Sequence, residues 1–196
     1  MEFKIIKKES LYQGFFSLSK YSLSNELFQG GWSGEYTREV FERGNAAAVL
    51  LYDPTRDKVV LVEQFRPGAI GTDSSPWLME LVAGMIEENE SPEEVVSREA
   101  LEEAGCSIRR LVKIRDYWVS PGGTSERVWL FLGEVDSLQI AEFAGLDDEN
   151  EDIKVHCVSA CQAFDWLEGG KVNNAMSIIA LQWLQIKLLS KSTLWS

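Results

Sequence analysis

The stretch REALEEAG, residues 98–105, carries three glutamates and one arginine, a grouping that could bind a cation. At about 100° per residue, a helix would place Glu99, Glu102 and Glu103 within about one third of its circumference. These like charges repel each other and lie near the helix C-terminus, where the macrodipole disfavours negative charge. The group is therefore either a solvated acidic face or a set of oxygen ligands for a hard cation such as Mg²⁺.

Local signals predict the helix that would carry these glutamates. Ser91 suits the N-cap, Pro92 suits the first helical position, and Ser91 with Glu94 forms a capping box. Gly105 suits the position just beyond the helix, where a left-handed backbone is common. We therefore predict a helix over residues 92–104, and the stripe that would pack on a sheet contains Val96, Ala100 and Ala104.

The rest of the sequence predicts strands on both sides of Gly44–Asn45, where the pattern changes from alternating apolar and polar residues to near-continuous apolar runs. Residues 3–42 alternate apolar and polar positions between glycines, which predicts an antiparallel meander. The apolar runs AAAVLLY and KVVLVEQF predict buried strands of a mixed sheet. We expect an N-terminal β lobe over residues 1–44 and an α/β core over residues 45–196. Two further helices are predicted, one after Ser159 and one near 174–189, whose core stripe contains Met176, Ile179, Ala180, Trp183, Leu184 and Leu188.

Composition narrows the possible partners and compartment. The net charge of −12, from 31 acidic and 19 basic residues, disfavours nucleic acid as a partner. We expect neither a secretory signal nor a membrane segment, because apolar runs of the required length are missing from the sequence. Three cysteines indicate a reducing, cytoplasmic environment. His156, Cys157 and Cys161 could bind zinc, but one ligand is missing, and we predict buried thiols instead.

Residues 84–106, GMIEENESPEEVVSREALEEAGC, resemble the Nudix box G-x5-E-x7-R-E-U-x-E-E-x-G-U, where U is a bulky aliphatic residue. The U positions hold Ala100 and Cys106, a looser match that concerns packing. The resemblance implies hydrolysis of a nucleoside diphosphate linked to another group. It implies an α+β Nudix fold, an α/β/α sandwich with a mixed sheet, here with an N-terminal antiparallel β lobe. The fixed positions that match are Gly84, Glu90, Arg98, Glu99, Glu102, Glu103 and Gly105.

The same resemblance implies a metal site and a catalytic base. Several Mg²⁺ ions are expected, with Mn²⁺ as an alternative, and Glu90 and Arg98 are expected to support the loop and helix. The implied base is Glu149, in the acidic run DENED at residues 148–152. By itself this run indicates a solvated loop, and Glu151 is an alternative base. The implied ligands are the backbone carbonyl of Ala83 and the carboxylates of Glu99, Glu103 and Glu151, with Glu102 close by.

A second stretch, SPGGTSER at residues 120–127, indicates which substrate the enzyme would hydrolyse. Its proline lies 15 residues beyond the box, as in the branch of the Nudix family that hydrolyses ADP-ribose to AMP and ribose 5-phosphate. Taken singly, each residue that this resemblance assigns to the substrate is explained equally well by packing or surface exposure. The implied contacts are Phe15, Phe16, Arg38, Glu39, Arg43, Arg66, Met85, Ser120, Pro121, Gly122 and Glu126.

The resemblance covers nearly the whole chain and implies a homodimer with shared active sites. Arg38, Glu39 and Arg43 would reach the site of the partner subunit. Two rival functions stay open at this stage. The first is a Nudix hydrolase of another nucleotide sugar, such as GDP-mannose. The second is a non-catalytic nucleotide sensor, which we expect to have lost carboxylates of the box, whereas this chain retains all of them.

Overall fold

The computed structural model describes residues 1–71, 75–146 and 150–195, which form two β-sheets and three α-helices. The smaller sheet contains β1 (Phe3–Gln13), β2 (Ser17–Asn25) and β3 (Tyr36–Glu42). The larger sheet contains β4 (Ala46–Asp53), β5 (Lys58–Phe65), β6 (Trp77–Glu80), β7 (Val82–Met85), β8 (Arg110–Trp118), β9 (Arg127–Glu134), β10 (Phe143–Ala144) and β11 (Ile153–Ser159). The helices are α1 (Pro92–Ala104), α2 (Ala160–Glu168) and α3 (Ala175–Leu189).

The smaller sheet is the predicted antiparallel meander. Its order is β1–β2–β3, and Gly14 N–H donates to the carbonyl of Phe16 at 2.9 Å in the turn between the first two strands. Within these three strands only Ser19 and Ser22, both on β2, are buried. Large apolar side chains such as Phe3, at 69% exposure, therefore lie on the surface of the single chain.

The larger sheet has the order β10–β11–β5–β4–β9–β8, while β6 pairs with β5 and β7 pairs with β4. Val60 and Val62 of β5 pack with Val95, Val96 and other apolar residues of α1. Side chains alternate along a strand, so residues such as Leu61 face the opposite layer, where α2 and α3 contact the sheet. Helices on both faces of a large sheet, with a separate antiparallel sheet, confirm the predicted fold class.

The predicted helix caps are confirmed. Ser91 accepts a hydrogen bond from Glu94 N–H in a full capping box, and Gly105 ends α1 with φ of 64°. Glycine adopts that left-handed conformation without the steric cost of a Cβ. Ser159 caps α2 in the same way, through a bond from Gln162 N–H. α1 therefore begins and ends where its local sequence signals predicted.

Two packing predictions are wrong. Cys157 and Cys161 are exposed, and only Cys106 of the three cysteines is buried. Cys157 pairs with Val60 of β5 near the far end of β11, past the residues of that strand, Ile153 and Val155, that belong to the core. On α3 the predicted core stripe is also displaced, because Met176, Ile179 and Trp183 are only partly buried. The buried positions of that helix are Ser177, Ala180, Leu181 and Leu184.

The chain forms two compact units. One contains Met1–Asn45 together with Tyr117–Val128, and the other contains Ala46–Asp116 together with Trp129–Ser196. We call the first the N-terminal lobe and the second the catalytic unit. No helix among the described residues is long and apolar enough to cross a membrane.

Candidate active site

Glu103, on the last turn of α1, is a buried carboxylate held by two other elements. Its side chain is almost fully enclosed, and the residue is only 2% exposed. Ala83 N–H, on β7, donates to Glu103 Oε2 at 3.0 Å. The amide nitrogen of Gln64, on β5, donates to Glu103 Oε1 at 3.4 Å. Burial raises the pKa of Glu103 to about 8, against the bond from Ala83, and repulsion from Glu99 and Glu151 adds to the rise.

Glu99 lies one turn earlier on α1 and packs directly against the backbone of Gly84. A Cβ at position 84 would overlap the Glu99 carboxylate, so the close approach requires glycine. The Glu99 side chain is 13% exposed, and burial raises its pKa to about 7, although Arg98 opposes the shift. The first glycine of the box thus makes room for one of its carboxylates.

Arg98 connects three carboxylates, two on α1 and one in the loop before it. Its guanidinium donates to Glu90 Oε1 at 3.1 Å, to Glu99 Oε1 at 2.8 Å and to Glu102 Oε2 at 2.9 Å. The hydrogen bond from Arg98 lowers the pKa of Glu90, so the Glu90 carboxylate remains ionised in the loop before α1. Arg98 therefore ties this loop to the helix, as the resemblance implied.

This arrangement fits a hard cation. Glu99 and Glu103 supply oxygen donors at a place where burial makes the ionised carboxylates unfavourable unless a positive charge is added. Gly84 leaves room beside its backbone for the Glu99 carboxylate. Among the described residues, no cluster of three or more His, Cys, Asp or Glu side chains that could hold a metal ion is present. Mg²⁺ does not require one, because it usually retains waters and substrate phosphates in its coordination shell.

A groove of about 330 Å³ lies in the catalytic unit and contains Glu151 in its lining. Arg66 lies in the same lining, directly after β5, and its Nε donates to buried Glu80 at 2.7 Å. This bond fixes the direction of the guanidinium and suits Arg66 to contact phosphate. Two half-exposed aromatic rings, Phe65 and Trp77, meet edge to face at 5.2 Å on the same groove.

The N-terminal lobe brings together several other predicted substrate residues. Arg43 lies 3.6 Å from buried Glu126, and its guanidinium lies over the Phe16 ring at 5.4 Å. Phe15 contacts Phe16 edge to face at 4.7 Å and is itself 86% exposed. A strongly exposed ring beside a cation and a carboxylate is suited to contact a ligand.

The loop of residues 120–126 is joined to β3 within the same lobe. Phe41 N–H donates to the carbonyl of Gly123 at 2.9 Å, and Ser125 N–H donates to the carbonyl of Phe41 at 3.2 Å. Ser120 accepts bonds from the Gly123 and Thr124 N–H groups at 3.0 and 2.9 Å through its backbone carbonyl. These bonds form the tight turn that contains Pro121 and Gly122.

The remaining predicted residues lie apart from these clusters or outside the described ranges. Arg38 and Glu39 are exposed on β3, and Arg38 donates to the carbonyl of Thr37 at 2.8 Å. Met85 ends β7 and pairs with Ala46 of β4. Glu149, the predicted base, lies outside the described residues. The substrate, ligand and base roles of all these residues stay predictions.

Gln64 is a residue of the site that sequence analysis did not identify. It is the second-last residue of the run KVVLVEQF, and a polar residue near the end of a buried strand was the available signal. His156, which sequence analysis considered as a zinc ligand, instead lies with Nε2 at 2.7 Å from Glu63 Oε2.

Comparisons with known proteins agree with this geometry. The chain is 52% identical over 193 residues to an ADP-ribose pyrophosphatase of Escherichia coli K12, covering 98% of this chain and 92% of the relative. It is 47% identical to an ADP-ribose pyrophosphatase of Haemophilus influenzae, covering 99% and 91%. It is 35% identical to a GDP-mannose pyrophosphatase of Yersinia pestis, covering 95% and 93%.

A solved structure described as an ADP compounds hydrolase has the same fold. It superimposes with a TM-score of 0.72 at 20% sequence identity, covering 97% of this chain and 96% of that chain. The model of the NUDIX domain matches residues 42–175, which include β4, α1, β11 and the whole box. The chain therefore belongs to the Nudix family.

Proposed function

We propose that this protein hydrolyses the pyrophosphate of ADP-ribose in a Mg²⁺-dependent reaction and releases AMP and ribose 5-phosphate. The observation that carries the proposal is the pair of box carboxylates, buried Glu103 and partly buried Glu99, beside a groove that contains Arg66 and Glu151. Buried anions require a cation, and a pyrophosphate with its own negative charge requires the same cation and an arginine. A nucleoside diphosphate derivative satisfies both requirements.

The choice of ADP-ribose rests on the relatives. Proteins named ADP-ribose pyrophosphatase are 52% and 47% identical to this chain, whereas the GDP-mannose pyrophosphatase is 35% identical. The stretch SPGGTSER, which is typical of the ADP-ribose branch, forms an ordered turn in the N-terminal lobe. The rival sensor function is disfavoured because every carboxylate of the box is present and Glu103 is fully enclosed.

Each residue then has a chemical role. Bound Mg²⁺ would neutralise phosphate oxygens and lower the pKa of a coordinated water. Glu99 and Glu103, with the Ala83 carbonyl and Glu151, would hold it, and Arg66 would orient the pyrophosphate. Glu149 would accept a proton from the water that attacks phosphorus in line, while the P–O bond to the departing phosphate breaks.

We further infer a homodimer in which the lobe of one subunit contributes Arg38 and Glu39 to the substrate site of the other. Large apolar side chains exposed on the N-terminal strands support an additional covered surface. Phe15, Phe16, Arg43 and Glu126 would contact the nucleotide in the same assembly. The free thiols of Cys157 and Cys161 support a reducing, cytoplasmic compartment.

A substrate comparison tests the proposal. The purified protein is incubated with ADP-ribose, GDP-mannose and other nucleoside diphosphate derivatives, each with Mg²⁺ and with a chelator, and products are separated chromatographically. We expect AMP and ribose 5-phosphate from ADP-ribose, a kcat/KM at least about tenfold above that for GDP-mannose, and no reaction with the chelator. Faster turnover of GDP-mannose, or nucleotide binding without hydrolysis, would select one of the rival functions.

A further inference from the structure

Gln64 occupies an unusual position for an amide side chain. It follows Val60 and Val62 on the face of β5 that packs against α1, and those two valines belong to the hydrophobic core. The residue is only 5% exposed. An amide buried at the end of an apolar row is unfavourable unless it is hydrogen-bonded, so its partner indicates why a polar residue is there.

The partner is the Glu103 carboxylate. Gln64 Nε2 lies 3.4 Å from Glu103 Oε1, and Ala83 N–H lies 3.0 Å from Glu103 Oε2. An ionised carboxylate can only accept hydrogen bonds, so the amide must present its NH₂ group and not its oxygen. Each carboxylate oxygen thus receives one donor from a different strand and keeps a lone pair for another partner.

The Gln64 amide carries no charge, unlike the neighbouring Arg66 guanidinium. A positively charged donor at this place would satisfy Glu103 and compete directly with a metal ion, whereas an amide adds a hydrogen bond without adding charge. Arg66, two residues further along, is directed to Glu80 instead, at 2.7 Å. The hydrogen bond from Gln64 therefore orients the Glu103 carboxylate and leaves its negative charge available for a metal ion.

We propose that Gln64 is a positioning residue that orients Glu103 toward a divalent cation. The inference rests on the proposed function, because it takes Glu103 as a metal ligand. Groups that hydrogen-bond to metal ligands commonly contribute about 10–100-fold to metal affinity. A purely structural hydrogen bond would contribute to folding stability and leave metal affinity unchanged.

Metal binding by the free protein separates these roles. The full-length chain is titrated with Mn²⁺ without substrate, and the free ion is measured from its electron paramagnetic resonance signal. Gln64→Met preserves side-chain length but removes both donors, and Gln64→Asn keeps the amide but shortens its reach by one methylene. We expect both variants to bind Mn²⁺ about 10–100-fold more weakly than the wild type. Gln64→Asn keeps the test valid should Gln64→Met fail to fold.

A matched control variant shows whether destabilising β5 by itself weakens Mn²⁺ binding. Leu61 is fully buried on the opposite face of β5, so Leu61→Val destabilises the same strand without touching Glu103. We expect Leu61→Val to lower Tm and to retain wild-type Mn²⁺ affinity. In the Gln64 variants, added Mg²⁺ should recover part of the lost turnover.

Two failures are distinguishable. If Glu103→Gln binds Mn²⁺ as tightly as the wild type, Glu103 is not a ligand and the proposed metal site itself is wrong. If Glu103→Gln weakens binding but both folded Gln64 variants keep wild-type affinity, the metal site stands and the positioning role of Gln64 is wrong.

Discussion

The two units of the molecule treat their carboxylates in opposite ways. In the N-terminal lobe, Glu42 accepts hydrogen bonds from Lys8 and Tyr21, and the bond from Lys8 is the main cause of its lowered pKa. In the catalytic unit, burial raises the pKa of Glu99 to about 7 and that of Glu103 to about 8. In the lobe, Lys8 compensates the charge of Glu42 within the chain. In the box, Arg98 pairs with Glu99, whereas Glu103 receives hydrogen bonds from the neutral donors Ala83 N–H and Gln64, so a cation would compensate its charge.

The apolar side chains show the reverse contrast. The catalytic unit encloses its core completely, with Leu50, Leu61 and Phe131 at 1% exposure or less. The N-terminal strands bury only two serines and expose Phe3, Ile5 and Tyr12 at 69%, 55% and 64%. The core of the catalytic unit is enclosed, although its surface also carries exposed apolar residues such as Leu138 and Leu189. The three N-terminal strands, in contrast, have no buried apolar side chain. A metal ion would balance the charge of the box carboxylates in the catalytic unit, and a second subunit would cover the exposed apolar side chains of the N-terminal lobe.

The largest expected effect concerns the base. Glu149→Gln should lower kcat by about 10²–10⁴-fold, because proton removal from the attacking water is lost, while substrate binding retains its Mg²⁺ dependence. Steady-state kinetics at several Mg²⁺ concentrations measure both quantities. Recovery of activity by added Mg²⁺ alone would make Glu149 a ligand and move the role of base to Glu151.

A smaller effect is expected from the cradle beside Glu99. Gly84→Ala should lower kcat by about 10–100-fold, because the new Cβ displaces the Glu99 carboxylate that it would overlap. Gly34→Ala is the matched control, since a Cβ there meets no atom within 4 Å. Equal turnover of the two variants would show that the catalytic unit does not depend on this close approach.

Subunit complementation tests whether the lobe acts on its partner. Arg38→Ala and Glu149→Ala proteins should each be nearly inactive and regain roughly a quarter of wild-type activity when refolded together. Half of the random dimers are mixed, and each mixed dimer carries one intact site and one doubly altered site. If verified subunit exchange restores no activity, Arg38 acts within its own chain or does not bind substrate.

The smallest effect is a dependence of stability on pH. The pKa values of Glu99 and Glu103, about 7 and about 8, lie above their ordinary value of 4.5. The folded metal-free protein therefore binds more protons than the unfolded chain between about pH 4.5 and 8. Its stability should be fully present at the acidic end and fall as pH rises through this window. Thermal melts with a chelator should show Tm decreasing by several degrees from pH 5 to pH 8.

Glu103→Gln should flatten this profile, because glutamine does not titrate, and Mg²⁺ should raise the wild-type Tm most at the alkaline end. An unchanged wild-type Tm from pH 5 to pH 8 would contradict the raised pKa values of Glu99 and Glu103 in the metal-free protein.

Local signals determined how much of the architecture was predictable. The capping box at Ser91, Pro92 and the left-handed Gly105 define α1 within a short window of sequence, and its limits were predicted correctly. Arg98 and Glu102, four positions apart on α1, pair at 2.9 Å, as local helix geometry allows. Such features depend on residues fewer than five positions apart.

Features that depend on tertiary register were not predictable. Gln64, Ala83 and Glu103 belong to three separate elements, and nothing in their local sequences indicates that they meet. Cys157 lies past the part of β11 that belongs to the core, and Leu181 replaces predicted residues in the core stripe of α3. The motif predicted that the carboxylates of the box share one helix, but not the depth at which Glu103 is buried or the amide that contacts it.

The most direct test of the metal site is turnover of ADP-ribose by Glu103→Gln at saturating Mg²⁺. Glutamine has the same shape and can still accept the bond from Ala83 N–H, but it lacks the charge. The loss of several kcal/mol of charge stabilisation predicts a fall in kcat of about 10³-fold, with a metal-free Tm at neutral pH no lower than that of the wild type. Near-normal release of AMP by the folded variant would contradict the claim that the buried carboxylates of the box bind the catalytic metal.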